Sequence, residues 1–317
     1  MPEIKRFRVW ILLGVFALLA TKFVMVIGTV EAAPSFNNSD FSFFWNYLDK
    51  PVESLGASQV QRGYSWGPAV SAGLTITTEL YNGKLRTVQY FEKTRMELDG
   101  GFLRITTGLL VKELVTGLRQ DGDNSFTHLQ PSQIPIAGDP NLNRANQNVP
   151  TYASFQNVIT FVGSEHGQPQ VAPNTYITSQ IDKMGNITTI TPPEQSGYGY
   201  YDRITLHNVA SIFVDYFTRG GLVYDGSNYI NTKSIYGSTP VILGHAVTEP
   251  YWVYTLLAGK PQMVLVQLFE RRVLTYTPSN PGPFKVEMGN LGQQYFTWRY
   301  IDNTSSGSNR APADFSY

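Results

Sequence analysis

The chain has 317 residues, 24 Lys plus Arg against 24 Asp plus Glu, four His and no Cys. That length suits one large domain or two modest ones, enough to bury a core without covalent staples. The lack of Cys removes disulfides, thiolate-held metal centres and thiol nucleophiles, and a net charge of zero lacks the basic footprint of a nucleic-acid binder.

Charged residues make up only 15%, while Tyr (19), Phe (18) and Gly (28) are abundant, a mix that suits a β-rich extracytoplasmic protein. At the N-terminus Lys5, Arg6 and Arg8 precede an apolar run from Val9 to Val30, interrupted by Lys22. Two readings fit residues 1–32. One is a secretory signal cleaved after Ala32, with small residues at −3 and −1. The other is a retained anchor in which residues 9–30 cross the membrane, since 22 helical residues span about 33 Å. The basic flank faces the cytoplasm in both, so the bulk of the chain is expected outside. Without residues 1–32 the remainder would carry 20 positive and 22 negative charges, so attraction to an anionic surface is not charge-driven.

Further along, Phe41, Phe44, Trp45 and Leu48 fall at helical spacing behind Ser39 or Asp40 as N-cap. Val88–Phe91 and Arg95–Leu98 read as a hairpin around Glu92-Lys93-Thr94, with the charges on the turn in water. Gln120–Val149 is loop-like, and Ala153–Phe161 reads as a strand. Tyr176–Lys183 and Ile187–Thr191 form a hairpin about Met184-Gly185-Asn186, before a Gly/Pro/Ser linker that starts at Pro192. Asn208 caps a second helix through Val209, Ile212, Phe213, Tyr216 and Phe217, ended by Gly220-Gly221. A second hairpin, Val264–Phe269 and Val273–Thr277, turns at Glu270-Arg271-Arg272. Beyond Asn303 the tail is polar.

The two hairpins are related. Val88-Gln-Tyr-Phe-Glu-Lys-Thr-Arg-Met-Glu-Leu98 and Val266-Gln-Leu-Phe-Glu-Arg-Arg-Val-Leu-Thr-Tyr276 share four of eleven residues, where chance gives roughly one. Gly67-Pro-Ala-Val70 matches Gly244-His-Ala-Val247, at 18 and 19 residues before the hairpin Val. Ile105-Thr-Thr-Gly108-Leu-Leu110 matches Val286-Glu-Met-Gly289-Asn-Leu291 downstream. The order helix, loop, Gly-x-Ala-Val, hairpin, apolar-x-x-Gly-x-Leu therefore occurs twice.

The second copy, Leu243-Gly-His-Ala-Val-Thr-Glu-Pro250 with Val266–Arg271 and Thr275-Tyr-Thr-Pro278, resembles the LGFP-type repeat of exported, envelope-associated proteins. It is also similar to uncharacterised secreted proteins of filamentous phototrophic bacteria. Two departures stand out: His245-Ala246 replaces aromatic-Pro, and the first copy has Ser71-Ala72-Gly73 in place of Thr-Glu-Pro. The resemblance implies an envelope setting and supplies no catalytic residues.

Motifs for chemistry are sparse. Gly63-Tyr-Ser65-Trp-Gly67 has the Gly-x-Ser-x-Gly form of a hydrolase elbow, but lacks the apolar strand before it and the helix after it. The second copy has Ile242 in place of Ser65. His128, His166, His207 and His245 are scattered without metal-ligand spacing. Asp121-Gly-Asp-Asn-Ser125 begins like a calcium loop, without its later Gly and Glu. Glu92 and Glu270 read as repeated turn residues rather than an acid–base pair. No phosphate-cradling Gly loop follows a strand. Aromatics carry the remaining signal: Trp66, Tyr90, Tyr251, Trp252, Tyr254 and Trp298 lie near hairpins, where each either stacks on a sugar or partner or packs in the core.

The expected fold is α+β and β-rich: two related helix–loop–β-hairpin modules (33–119 and 201–302) flanking a β-rich insertion and linker (120–200), after an N-terminal apolar helix and before a tail (303–317). The expected function is non-enzymatic, without metal or cofactor: an exported cell-envelope or surface protein binding wall glycan. The alternative is a membrane-anchored structural subunit with protein partners in a larger assembly. An exported serine hydrolase using Ser65 is the remote third reading.

Overall fold

Phe41, Trp45 and Leu48 fall three to four residues apart, so winding this stretch into a helix puts them on one buried face. The helix, α1, runs Ser39–Leu55 in the computed structural model, which describes residues 35–68, 76–98, 105–173, 175–237 and 242–303. Its cap is Asn38, whose side-chain oxygen accepts the amide of Asp40, one residue before the expected Ser39 or Asp40. The apolar run 9–30, the junction at Ala32, Ala69-Val70 with Ser71-Ala72-Gly73, and the tail past Asn303 lie outside the described residues. Those described all belong to one compact unit starting at Ala33. Among them no helix is long and apolar enough to cross a membrane.

The architecture is mixed, with more strand than helix. After α1 and the one-turn α2 (Ala57–Val60), four antiparallel strands follow in order: β1 (Thr78–Tyr81), β2 (Lys84–Tyr90), β3 (Arg95–Leu98) and β4 (Ile105–Thr106). Helix α3 (Leu110–Thr116) leads to a hairpin, β5 (Leu118–Gly122) with β6 (Ser125–His128), and to α4 (Pro140–Ala145). Residues 120–149 are thus more ordered than their polar composition suggests. The strand expected over 153–161 is instead a 3-10 turn, Tyr152–Phe155, held by reciprocal bonds between Thr151 and Ser154. This local side-chain-to-backbone bonding outcompetes strand pairing.

The hairpin β7 (Ser179–Ile181) and β8 (Ile187–Thr189) is not a separate sheet. Trp252 pairs in parallel with Gln180, which adds the hairpin to the larger sheet, β16-β15-β14-β13-β7-β8. Its other members are β13 (Tyr251–Leu257), β14 (Lys260–Leu268), β15 (Val273–Tyr276) and β16 (Val286–Met288). Between them come the hairpins β9 (Tyr198–Asp202) with β10 (His207–Ala210) and β11 (Gly221–Tyr224) with β12 (Tyr229–Thr232), separated by α5 (Ser211–Thr218). Val209 is therefore in a strand, and Asn208 does not cap α5. Its side chain accepts from Val171 N (2.8 Å) and donates to the carbonyl of Pro169 (2.9 Å) and to Glu249. Helix α6 (Leu291–Thr297) and a π-helical turn (Trp298–Asp302) close the described chain.

Strand side chains alternate between two apolar clusters. Leu265, Phe269 and Leu274 join Trp45, Phe213 and Phe217 of α1 and α5. Val264, Val266, Leu268 and Val273 join Leu114 of α3 and Tyr295 of α6. Val264-Leu265-Val266 is continuously apolar because both faces of its strand are covered.

Two features recur around β2–β3 and β14–β15. Gln89 accepts from Asn37 N (3.2 Å) and donates to Ser35 O (2.8 Å), and Gln267 accepts from Ala210 N (3.2 Å) and donates to Asn208 O (2.9 Å). Each glutamine thereby clamps the chain entering a helix. Gly67 and Gly244 both have positive φ (78° and 74°), and an added Cβ would fall 2.8 Å from Glu92 Cβ or 2.6 Å from Glu270 Cβ. Only glycine combines that φ with that approach.

The turns then dock crosswise. Gly292 of α6 presses on the first turn, where a Cβ would lie 2.0 Å from Phe91 O, and Gln293 N donates to Glu92 O (3.1 Å). Reciprocally, Arg271 of the second turn donates to Gly108 O (3.3 Å), and Lys112 of α3 pairs with Glu270 (3.1 Å). One turn residue departs from expectation: Arg272 is fully buried rather than in water.

Candidate functional site

A cleft of about 450 Å³ opens where α4's trailing loop, the β7–β8 hairpin and the β13–β14 hairpin meet. Tyr254 and Met263 are cross-strand partners and so share one face of the sheet, both half-buried. The amides of Gln147, Asn148 and Gln180 also line the cleft. No hydrogen bond to another described residue occupies these three side-chain amides, so each offers a donor and an acceptor to a ligand. Asp182 shapes the rim. Its carboxylate accepts Met184 N (2.8 Å), Asn186 N (2.9 Å) and Asn186 Nδ2 (2.9 Å), fixing the β7–β8 turn. Those bonds, led by the Asn186 side chain, hold the Asp182 carboxyl below its usual range. Ser154 Oγ donates to Lys183 O (2.7 Å) and braces the turn from behind. An aromatic–thioether wall with free amides can hold the apolar face and hydroxyls of a neutral polar ligand. Asp182 and Lys183 are the charged residues lining the cleft.

Tyr254 is the one member of the predicted aromatic surface that reaches this cleft. Trp66, Tyr90, Tyr251, Trp252 and Trp298 are each no more than 4% exposed and act as core. The indole nitrogens are spent internally: Trp66 Nε1 on Phe44 O (3.1 Å), Trp252 Nε1 on Ile177 O (2.9 Å) and Trp298 Nε1 on Gln130 O (2.8 Å). Ser65 is likewise buried, and its hydroxyl faces Tyr236 OH at 3.4 Å rather than a base. Asp123 binds Tyr81 OH and Asn82 Nδ2 (2.9 Å each), and Asp121 pairs with Arg119 (2.8 Å). That loop's carboxylates therefore face protein donors. Among the described residues no group of three or more His, Asp or Glu is placed to hold a metal.

Two polar clusters were not legible from spacing. His207 Nδ1 lies 3.2 Å from Glu249 and its Nε2 lies 2.6 Å from Thr160 Oγ1, while His245 Nδ1 lies 3.0 Å from Asp202. The first chain has the order hydroxyl, imidazole, carboxylate, but all three residues are at most 7% exposed, so it braces rather than receives a substrate.

The second cluster packs between β1–β3, α3 and α6. Arg95 pairs with Glu79 (2.6 Å) and Glu97, Arg299 pairs with Glu79 (3.3 Å), and Arg86 with Glu97 (2.8 Å). Tyr90 and Tyr300 both donate to Glu79 (2.6 Å), and Tyr295 donates to Glu113. Burial alone would raise the Glu79 carboxyl, but Arg95, Arg299 and the two tyrosines together hold it down at about 2. Burial prevails at Glu113, raised to about 7 against the weaker pull of Arg95 and Arg299.

No protein-family model, curated protein or solved structure matches this chain.

Proposed function

We propose that the chain is a non-catalytic binding protein of the cell exterior, and that the Tyr254 cleft takes a segment of wall glycan. The observation that carries this reading is the cleft's lining: an aromatic–thioether wall, three unspent amides and one carboxylate already committed to its turn. Amides match sugar hydroxyls in both directions, and a tyrosine ring covers the C–H face of a pyranose. We further propose that two related modules, resembling LGFP-type repeats, build this protein. The recurring glutamine clamps and glycine–glutamate contacts support that origin. Export rests on the basic flank and apolar run of residues 5–30.

Sedimentation with insoluble cell-wall glycan tests the reading. The intact protein should pellet with the glycan, and Tyr254→Ala should stay in the supernatant while unfolding at the same temperature. Equal pelleting of both, or of neither, contradicts it.

One observation favours the second reading, a structural subunit of a larger assembly. Leu80 and Leu85 face each other across the β1–β2 hairpin and are 60% and 70% exposed. Water-facing leucines side by side are suited to a protein contact. Co-purification of fixed stoichiometric partners, lost in a Leu80→Lys/Leu85→Lys variant, would support it.

A further inference from the structure

Arg272 is fully buried, yet only one of its hydrogen-bonding positions is used. Nη1 donates to Arg271 O (3.1 Å), while Nε and Nη2 have no hydrogen-bond partner among the described residues. One face of the guanidinium lies over the Trp66 ring, 5.2 Å from its centroid, so the unspent N–H groups lie on the guanidinium's edge. In the first hairpin the corresponding residue is Thr94, as the matching bonds Phe91 N to Thr94 O and Phe269 N to Arg272 O show. The cation is thus a feature of one side of the molecule alone.

Its surroundings supply further donors. Ser65 Oγ donates to Tyr236 OH (3.4 Å) and Tyr236 OH to Tyr216 OH (3.2 Å), so the chain of hydroxyls ends on a Tyr216 proton without an acceptor among the described residues. Arg62 Nε also has no partner among the described residues. The nearby carboxylate, Asp49, lies 3.8 Å from Arg62 and is already engaged by the amides of Ser65 (2.7 Å), Trp66 (2.7 Å) and Gly67 (2.9 Å). Counting Arg62, Arg272 and Asp49 as ionised leaves one positive charge sealed in the protein. Burial, with the neighbouring Arg271 cation adding to it, lowers the Arg272 guanidinium to about 9, and Tyr236, Asp49 and Tyr216 only partly counter it. Leaving a buried cation and several donors unanswered is costly.

We propose that Arg272 and Tyr216, with Arg62 close by, form a buried site for one small monovalent anion of halide size. The charge selects the class, since a single negative charge closes the balance and a dianion would overshoot it. The donor count favours an ion over water. A water molecule accepts two bonds and must place two protons of its own, whereas a halide only accepts. The site joins the loop at Ser65-Trp66, α5 and the turn before β15, so the bound ion would hold the two sides of the molecule together. It is independent of the Tyr254 cleft.

Thermal unfolding in sodium chloride against sodium gluconate, at matched ionic strength, tests this. The intact protein should show an upward shift in Tm of several degrees that grows with the logarithm of chloride concentration above Kd, as expected when a ligand binds only the folded state. Arg272→Met should lose that dependence, and Tyr216→Phe should need a higher chloride concentration for the same shift. Should Arg272→Met fail to fold, Tyr216→Phe carries the comparison, because it removes one hydroxyl and no charge. Bromide introduced into crystals should give an anomalous peak beside Arg272. Equal Tm in both salts, an anion dependence unchanged in the variants, or bromide found only on the surface would overturn the proposal.

Discussion

The positions that hold Glu79, Arg86, Arg95 and Glu97 in the first hairpin sheet hold Val253, Val264, Val273 and Thr275 in the second. The registers correspond pair by pair: Glu79 faces Arg86 where Val253 faces Val264, and Tyr90 faces Arg95 where Leu268 faces Val273. All eight backbones are strand, so strand pairing does not choose between charges and valines. The choice follows from what covers each layer. Over the first sheet, α6 and the π-helical turn bring Tyr295, Arg299 and Tyr300, which complete the bonds that Glu79 and Glu113 require. Buried charges are tolerated only when such partners are complete, whereas valines need only contact.

The largest expected effect is at Arg95. Its removal in Arg95→Ala leaves Glu79 and Glu97 buried with part of their compensation gone, and should cost about 3–5 kcal/mol in denaturant unfolding. The matching change, Val273→Ala, deletes two methyl groups and should cost about 1–3 kcal/mol. Equal losses would remove the distinction between the two layers.

Next in size is a pH effect that only the charged layer can produce. Glu113 has its folded value raised to about 7 from 4.5, so its contribution is complete below 4.5 and is lost as pH rises to about 7. The loss is on the order of 3 kcal/mol. Glu79, held at about 2, acts in the opposite sense: its contribution is complete above 4.5 and disappears as pH falls toward 2. Unfolding free energy measured from pH 3 to 8 should therefore decline across pH 4.5–7, and Glu113→Gln should flatten that decline. A decline of the same size in the variant would assign it elsewhere.

How much of this was readable from the residues varies with sequence distance. Phe41, Trp45 and Leu48 mark their helix, and the Glu92 and Glu270 turns mark their hairpins, because both patterns are local. Gly67 and Gly244 were legible as a repeated motif, although not the reason, which is contact with a glutamate 25 or 26 residues later. Helix entry was misjudged at Asn208 because its side chain is taken by Glu249, 41 residues away. The aromatic residues near the hairpins left two readings open, ligand surface or core, and the structure makes Trp66, Tyr90, Tyr251, Trp252 and Trp298 core. The His207–Glu249 and His245–Asp202 pairs span 42 and 43 residues, beyond any local period. The cleft is assembled from residues as distant as Gln147, Gln180 and Tyr254, and only Tyr254 carried a signal of its own.

Smaller effects separate surface from interior within the same elements. Tyr254→Ala and Gln180→Ala should each weaken glycan binding about 10-fold, equivalent to about 1.4 kcal/mol, with Tm little changed. Trp252, two residues from Tyr254 on the same face but fully buried, should behave inversely, with Trp252→Ala unfolding the protein rather than altering a binding curve. Leu80→Lys should move stability by no more than about 0.5 kcal/mol, because that side chain already lies in water.

The central claim, that the Tyr254 cleft binds glycan without cleaving it, is tested most directly by calorimetric titration with soluble wall-glycan fragments, followed by product analysis of the same sample. Binding should saturate at one site per chain and weaken about 10-fold in Tyr254→Ala, with the fragments recovered intact. Heats that do not saturate, affinity unchanged in Tyr254→Ala, or fragments shortened by the intact protein would contradict it.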